Sequence, residues 1–454
     1  MKEKSNEGGF TSKLGFILAA AGSAVGLGNI WRFPYLAAKY GGGIFILVYL
    51  VLALTFGFSL MTAEIAIGRR TGKSCIGAYK SMSPKFGFLG ILAAVVPVII
   101  VPYYCVIGGW VLKYMVTFVA GEGVNAAGDG SFFTNFIGSA GGTTVYFIVY
   151  VILTAAVVML GVEKGIENIS KVLMPVLVIL TIGIAVYTMT LPGAMDGVAY
   201  YLLPNFTGFT FTQFLKTIAA AMGQMFYSMS LAMGIMITYG SYMRKEDKLE
   251  SSVRQIEFFD TLIALLAGLI IVPAVFVFSG GDASALNAGP SLMFITLPNV
   301  FESMPGGQFV GALFFVLVAL AALTSSISLM ETVVSIIMEK FNMKRIPACI
   351  VSIVVILVLG MLSVLGYSNL SEVTVFGYQF LDFFDFISNN ILMPIVALIT
   401  CILIGYVVKT KFVEDEVCEG GHKFTGKGVF RVMIKYLCPV CMVVILLTSL
   451  FVSF

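Results

Sequence analysis

The chain has 454 residues, of which 59% are hydrophobic and only 11% charged, against roughly a quarter charged in soluble domains. With a mean hydropathy of +1.00 it carries more apolar side chain than an aqueous surface can hide, which excludes a water-soluble protein and predicts a polytopic membrane protein. The 27 basic and 24 acidic residues leave a net charge of +3, and no Lys/Arg block interleaves with aromatics, so nucleic acid is not an expected partner.

Eleven apolar stretches are long enough to cross a hydrocarbon core of about 30 Å. They are residues 12–36, 43–68, 87–119, 144–161, 167–190, 213–241, 253–279, 308–339, 346–366, 378–408 and 429–453. A polar segment, 1–11, precedes them, without the short apolar run and cleavage site of a signal peptide. Lysine and arginine set the orientation, because positively charged connections stay cytoplasmic. All but four of the 27 basic residues fall at the N-terminus or on every second connection, the last of these holding Lys409, Lys411, Lys423, Lys427, Arg431 and Lys435. The exceptions, Arg32, Lys39, Lys113 and Lys216, sit within spans or at their outer ends, and the connections near 121–143, 191–211, 281–307 and 367–377 carry no basic residue. The N-terminus is therefore expected inside and the C-terminus outside.

Span one contains AAAGSAVGLGNIWRFPY, with Gly22, Gly26 and Gly28 inside the membrane. Glycine costs a helix interior about 1 kcal/mol against alanine, and lipid offers no water to mend the ladder, so a break at mid-membrane is expected. No strand precedes this glycine run, which argues against a dinucleotide loop. Span six contains GQMFYSMSLAMG over 223–234, where Ser228, Ser230 and Gly234 interrupt a second apolar run. Interruptions in the first of five spans and the first of the next five point to an inverted-repeat transporter, whose freed carbonyls bind cations and whose freed amides bind a carboxylate. The plainer reading is that small residues let helices pack closely. Arg32, Glu64, Asp260, Glu331, Asp382 and Asp385 lie within spans, where a charge costs about 2.5–3.5 kcal/mol, and each is expected to be functional or paired. The seven cysteines fall within spans or on the inner side; Cys438 and Cys441 form a CxxC, and Cys418 lies near His422, but neither pair has the further ligands of a metal centre.

Six segments together carry a resemblance: GSAVGLGNIWRFPY (22–35), KYGGG (39–43), PYYCVIGGW (102–110), GQMFYSMSLAMG (223–234), AGPSLMFITLP (288–298) and ALTSSISLME (322–331). In this order, over essentially the whole chain, they resemble the neurotransmitter:sodium symporter family, and eleven spans with short outer loops resemble a prokaryotic, amino-acid-transporting member. The resemblance implies an all-α integral membrane fold with discontinuous helices one and six. It divides the chain into a cytoplasmic segment 1–11, a first repeat 12–190 (helices one to five), a second repeat 213–408 (helices six to ten) and a peripheral helix 429–453.

The resemblance also implies sites. One sodium ion would take the carbonyl of Ala24, the side chain of Asn29, the carbonyl and hydroxyl of Ser228, and Asp260. A second would take the carbonyls of Gly22, Val25 and Ala321 and the hydroxyls of Thr324 and Ser325. A leucine-transporting bacterial member has Asn in place of Asp260 and Glu in place of Ala264, and chloride-dependent relatives recruit an anion there. Because one fixed negative charge beside the ion replaces a mobile one, transport is expected to be independent of chloride, with Asp260 able to exchange a proton on the return step. A substrate carboxylate would meet the amides of Leu27 and Gly28 and the Tyr104 hydroxyl, and its ammonium the carbonyls of Ala24, Tyr227 and Ser228 with the Ser230 hydroxyl. Gly26 stands where amine-transporting relatives have Asp, which favours an amino acid. Ile100, Met233, Ser325, Ser326 and Leu329 would line a pocket for a hydrophobic or aromatic L-amino acid.

The implied outer gate is Arg32 with Asp385, assisted by Gln224 above a lid of Tyr104 and Tyr227, while Glu64 would accept the freed amides of span six. The implied inner gate is Glu339 with Tyr242; its usual N-terminal Arg aligns with Glu7 and its Trp with Phe10, leaving Lys4 or Lys13 as substitutes. The expected protein is thus no enzyme but a sodium-coupled symporter using one or two Na⁺ and no chloride. It would reside in a bacterial inner membrane, in contact with lipid, as a monomer or weak dimer. The alternative is a proton-coupled carrier of the same fold, with a basic group in span five, where Lys171 at the inner end is the only candidate.

Overall fold

A computed structural model describes residues 8–128, 131–279 and 290–451. Lys2, Lys4 and Glu7, Ala288 and Gly289 of the fifth motif, and the last residues of span eleven lie outside that description. Among the described residues the regular structure is helical, apart from one bridge between Val375 and Tyr378. Among the described residues nine helices are long and apolar enough to span a membrane: Gly43–Thr71, Pro84–Val119, Ala140–Met159, Val162–Met189, Leu249–Phe278, Gly307–Phe341, Arg345–Gly366, Phe380–Val407 and Lys427–Thr448. A further pair, Lys13–Ala24 and Gly28–Lys39, bends by 56° at the glycine run. Phe211–Ser228 and Ile235–Tyr242 flank residues 229–234 in the position of predicted span six.

Helix ends follow local chemistry. Ser12 caps Lys13–Ala24 by accepting the Gly15 amide, and Thr210 and Gln213 form a reciprocal capping box before Phe211. Several starts lie earlier than the hydropathy predicts, two of them for a visible reason. The helix expected at 144 begins at Ala140 behind the Ser139 cap, and that expected at 167 begins at Val162, after Gly161 at φ 90°.

The Gly307–Phe341 helix packs along Gly87–Val119, and Leu249–Phe278 packs on Lys13–Ala24 and on Asn168–Met189. Phe58–Thr71 and Ile235–Tyr242 cross closely. There a Cβ on Gly240 would stand 2.4 Å from the Ile65 carbonyl oxygen, so only glycine admits the neighbouring backbone. Large aliphatic residues such as Ile152, Ile179 and Val358 remain exposed around the bundle, as a lipid-facing surface requires. Both interrupted elements therefore stand in the interior, held by long intact helices.

Candidate functional site

The first break is short. Val25 turns to an extended backbone (φ −73°, ψ 98°), and the chain re-enters a wide helical turn at Gly28–Arg32. The second is longer: Ser230, Ala232 and Gly234 all take left-handed backbone, with φ 52°, 59° and 72°. The cost of the first two positions is offset by specific contacts. Ala232 N–H donates to Glu64 Oε1 at 2.7 Å, and Ser230 Oγ donates to the Ser23 carbonyl at 3.0 Å, tying one break to the other.

Between the breaks lies a small cavity of about 30 Å³. Ala24, Gly26, Leu27, Gly28, Ile100, Tyr104, Tyr227, Ser228, Ser230, Met233, Ser325 and Leu329 line it, as do Ser23, Asn29 and Ile235. Leu27 N–H points to the Tyr104 hydroxyl at 3.4 Å, so an amide and a phenol converge at one end. A Cβ on Gly26 would meet Ser325 Oγ at 2.7 Å and the Tyr104 hydroxyl at 3.1 Å, which makes the missing side chain part of the cavity. One residue departs from expectation: Ser326 faces away, sharing hydrogen bonds with Tyr150 (3.2 Å) and Thr154 (2.9 Å) of the Ala140–Met159 helix.

Asp260 is fully buried beside this cavity. Its Oδ1 accepts Asn29 Nδ2 at 2.7 Å and Ser228 Oγ at 2.9 Å, and its Oδ2 accepts the Tyr49 hydroxyl at 3.2 Å. Among the described residues no Lys or Arg pairs with it. Asn29 joins through its amide nitrogen, its oxygen being taken by the Gly26 N–H at 3.1 Å. The second set also converges. Ser325 Oγ lies 3.5 Å from the Gly22 carbonyl, 3.2 Å from that of Ser23 and 3.3 Å from that of Val25, while Thr324 Oγ1 bonds the Ala321 carbonyl at 3.0 Å. Tyr49 escaped the sequence reading because nothing in its local pattern marks it. Glu257 also escaped, although it precedes Asp260 by one helical turn; it is buried and neither carboxylate oxygen has a hydrogen-bond partner.

Above the cavity a vestibule of about 600 Å³ is lined by Arg32, Tyr227, Asp382 and Asp385. The expected Arg32–Asp385 ion pair is not formed. Arg32 lies over the Tyr227 ring, 5.4 Å from its centroid, while Asp385 accepts from the Tyr103 hydroxyl (3.1 Å) and Asn389 Nδ2 (2.6 Å). Gln224 donates to the Gly28 carbonyl at 2.9 Å, and Asp382 accepts from the Tyr367 hydroxyl.

The inner contacts also differ from expectation. The Tyr242 hydroxyl donates to Glu331 at 2.8 Å rather than to Glu339, and Arg345 grips the same buried Glu331 through two bonds of 2.6 and 2.9 Å. Arg345 donates as well to the Val158 carbonyl, fastening the end of the Ala140–Met159 helix. Glu339 instead accepts the Ser74 N–H, and Lys13 reaches Ser251. Phe10 is buried against Phe16, Tyr239 and Tyr242. Lys171 pairs with Glu167 at 2.7 Å, and that carboxylate also holds Thr11 and Ser12.

The comparisons with known proteins agree with this geometry. Residues 7–123 and 131–453 match the sodium:neurotransmitter symporter family. The chain is 36% identical to the sodium-dependent transporter YhdH of Bacillus subtilis (strain 168), with 96% of each chain aligned, and 33% identical to a sodium-dependent transporter of Haemophilus influenzae, over 97% of this chain and 98% of that one. The crystal structure of MhsT in complex with L-phenylalanine superposes with a TM-score of 0.86 at 35% identity, covering 97% of this chain and 99% of that one. The chain is therefore a transporter, not an enzyme, and belongs to the sodium:neurotransmitter symporter family.

Proposed function

We propose that the protein couples sodium entry to the uptake of a hydrophobic or aromatic L-amino acid by alternating access, without chloride. The observation that carries this reading is the cavity between two broken helices, with a buried carboxylate at its edge that pairs with no Lys or Arg among the described residues. A fully buried charge facing only neutral donors is costly unless a cation joins it. Asp260, the Ser228 hydroxyl and the Ala24 carbonyl supply hard oxygen donors suited to Na⁺, and Asn29 completes the set once its carboxamide turns its oxygen inward. Gly22, Val25, Ala321, Thr324 and Ser325 would hold a second ion. The fixed charge of Asp260 leaves no need for an anion beside the sodium.

The substrate carboxylate would meet the Leu27 and Gly28 amides and the Tyr104 hydroxyl, where a helix end favours negative charge. The ammonium would face the carbonyls of Ala24, Tyr227 and Ser228 and the Ser230 hydroxyl. Ile100, Met233 and Leu329 give the remaining wall its apolar character, and the deformable Met233 lets it fit more than one side chain. MhsT holds L-phenylalanine in a related structure, which supports an aromatic substrate.

In this reading the chain crosses a bacterial inner membrane eleven times, N-terminus inside, as two five-span repeats with a peripheral last helix. Tyr242, Glu331 and Arg345 close the inner side, and Arg32 and Asp385 approach one another when the outer side closes. The proton-coupled alternative gains no support from Lys171, which is engaged with Glu167 at the helix end.

The test is uptake of labelled amino acids into proteoliposomes. Saturable uptake of phenylalanine or leucine is expected with an inward Na⁺ gradient, lost with K⁺ and kept when gluconate replaces chloride. Uptake indifferent to the Na⁺/K⁺ exchange would overturn the sodium coupling, and a large loss in gluconate the chloride independence.

A further inference from the structure

The first turn of the Leu249–Phe278 helix and the connection 417–425 enclose a second cavity, of about 560 Å³, that shares no lining residue with the transport site. Its rim carries Lys248, Lys423 and Arg254, together with His422, the only histidine in the chain. Neighbouring cations on this face are neutralised: Arg69 and Lys245 by Glu416, Arg244 by Asp247, and Lys427 and Arg431 by Glu414. Arg254 is paired with Glu250 at 3.2 Å. Among the described residues, Lys248 and Lys423 have no carboxylate within ion-pair reach. The cavity thus retains two positive charges beside neighbours that are neutralised.

The wall is apolar in one direction only. Phe258 lines the cavity and is 61% exposed. It stands ten residues along the helix from Lys248, a rise of about 15 Å towards the membrane interior. A phosphate alone would use the lysines and leave Phe258 idle, whereas an amphiphile with a phosphate head would use both.

We propose that this cavity binds the headgroup of an anionic phospholipid, its phosphate between Lys248 and Lys423 and its first acyl carbons against Phe258. Basic pockets at the cytoplasmic ends of membrane helices suit such headgroups, and each cation near the surface contributes about a fivefold gain in affinity, equivalent to about 1 kcal/mol.

The full chain is placed in nanodiscs of phosphatidylcholine with or without phosphatidylglycerol, and retained lipid is counted by native mass spectrometry beside the melting temperature. Phosphatidylglycerol is expected to be retained and to raise the melting temperature. Lys248→Gln and Lys423→Gln should each weaken retention about fivefold, while Lys340→Gln, at an exposed lysine elsewhere on the basic face, leaves it unchanged. Both lysines are exposed, and an unaltered melting temperature in phosphatidylcholine alone verifies that the variants fold. Phe258→Ser should reduce lipid retention further. Equal retention by wild type and both lysine variants would overturn the proposal. So would stabilisation by soluble glycerol phosphate equal to that by the lipid, since the site would then take a free phosphate.

Discussion

At the scale of single residues, the cavity is defined as much by absent atoms as by present ones. Gly26→Ala places a methyl group 2.7 Å from Ser325 Oγ, a hydroxyl surrounded by three carbonyls, and 3.1 Å from the Tyr104 hydroxyl. Neither neighbour gives way without losing a polar contact, so substrate affinity is expected to fall at least tenfold, about 1.4 kcal/mol, with the fold intact. Ligand-induced thermal stabilisation measures it directly. Asp260→Asn keeps the shape and removes the charge: half-saturation by Na⁺ should rise more than tenfold, and chloride should recover part of the loss. A sodium titration of uptake with and without chloride decides this. Most of these residues were legible because they cluster in two short motifs whose glycines and serines are improbable at mid-membrane. Ser326 was not, for a geometric reason. Successive residues on a helix are about 100° apart, so Thr324 and Ser325 face Lys13–Ala24 while Ser326 is carried round to Tyr150 and Thr154.

At the scale of elements, the long break is held by the Glu64 carboxylate together with the Ser230–Ser23 contact. Glu64 Oε1 accepts the Ala232 N–H, a donor stranded by left-handed backbone at Ser230, Ala232 and Gly234. Glu64→Ala leaves that amide unsatisfied in a dry interior and should cost about 1–3 kcal/mol. Glu64→Gln retains an acceptor and should restore most of it, so melting temperatures in the order wild type, Gln, Ala are expected. The glycine at 234 announced a break; left-handed Ser230 and Ala232 did not, since only the tertiary contact with Glu64 and Ser23 stabilises them. The Lys411–Val417 helix was equally hidden. It docks through Glu416 on Arg69, 347 residues away in sequence, and through Glu414 on Arg431 and Lys427. The hydrogen bond from Arg431 outweighs burial and holds the Glu414 carboxyl down at about 2, against an ordinary 4.5. A carboxyl lowered in the folded state contributes stability above its unfolded value and gives it up as pH falls from about 4.5 towards 2. Because both cations are half in water, the contribution is about 1 kcal/mol. Glu414→Gln should therefore melt lower than wild type at pH 7, and the difference should shrink below pH 4.5.

At the scale of the whole molecule, the two ends of the transport path are unequally held. On the basic side Tyr242, at the end of a broken element, donates to Glu331 of the Gly307–Phe341 helix, and Arg345 locks that carboxylate to the Arg345–Gly366 helix. On the opposite side Arg32 and Asp385 face one vestibule without pairing. The alternation of charged connections predicts a sidedness, but the lock on the basic side was not legible, because Arg345 opens a helix far in sequence from Tyr242 and no local pattern joins them. The driving force sets the scale on which such a lock matters. A tenfold Na⁺ gradient is worth about 1.4 kcal/mol and 100 mV about 2.3, so one ion supplies roughly 3.7 kcal/mol. A closure must be weak against that figure, or the carrier stalls. Tyr242→Phe removes one hydrogen bond to a charged group, about 1.5–3 kcal/mol, while Glu331 keeps Arg345. The inward-open population should rise at least tenfold in the absence of sodium, seen as longer spin-label distances across the inner face, and apparent Na⁺ affinity should fall with it. Arg345→Ala strands Glu331 as an unpaired buried charge and should destabilise the fold itself by about 3–5 kcal/mol. If Tyr242→Phe left both the distances and the sodium affinity unchanged, inner closure would have to lie elsewhere.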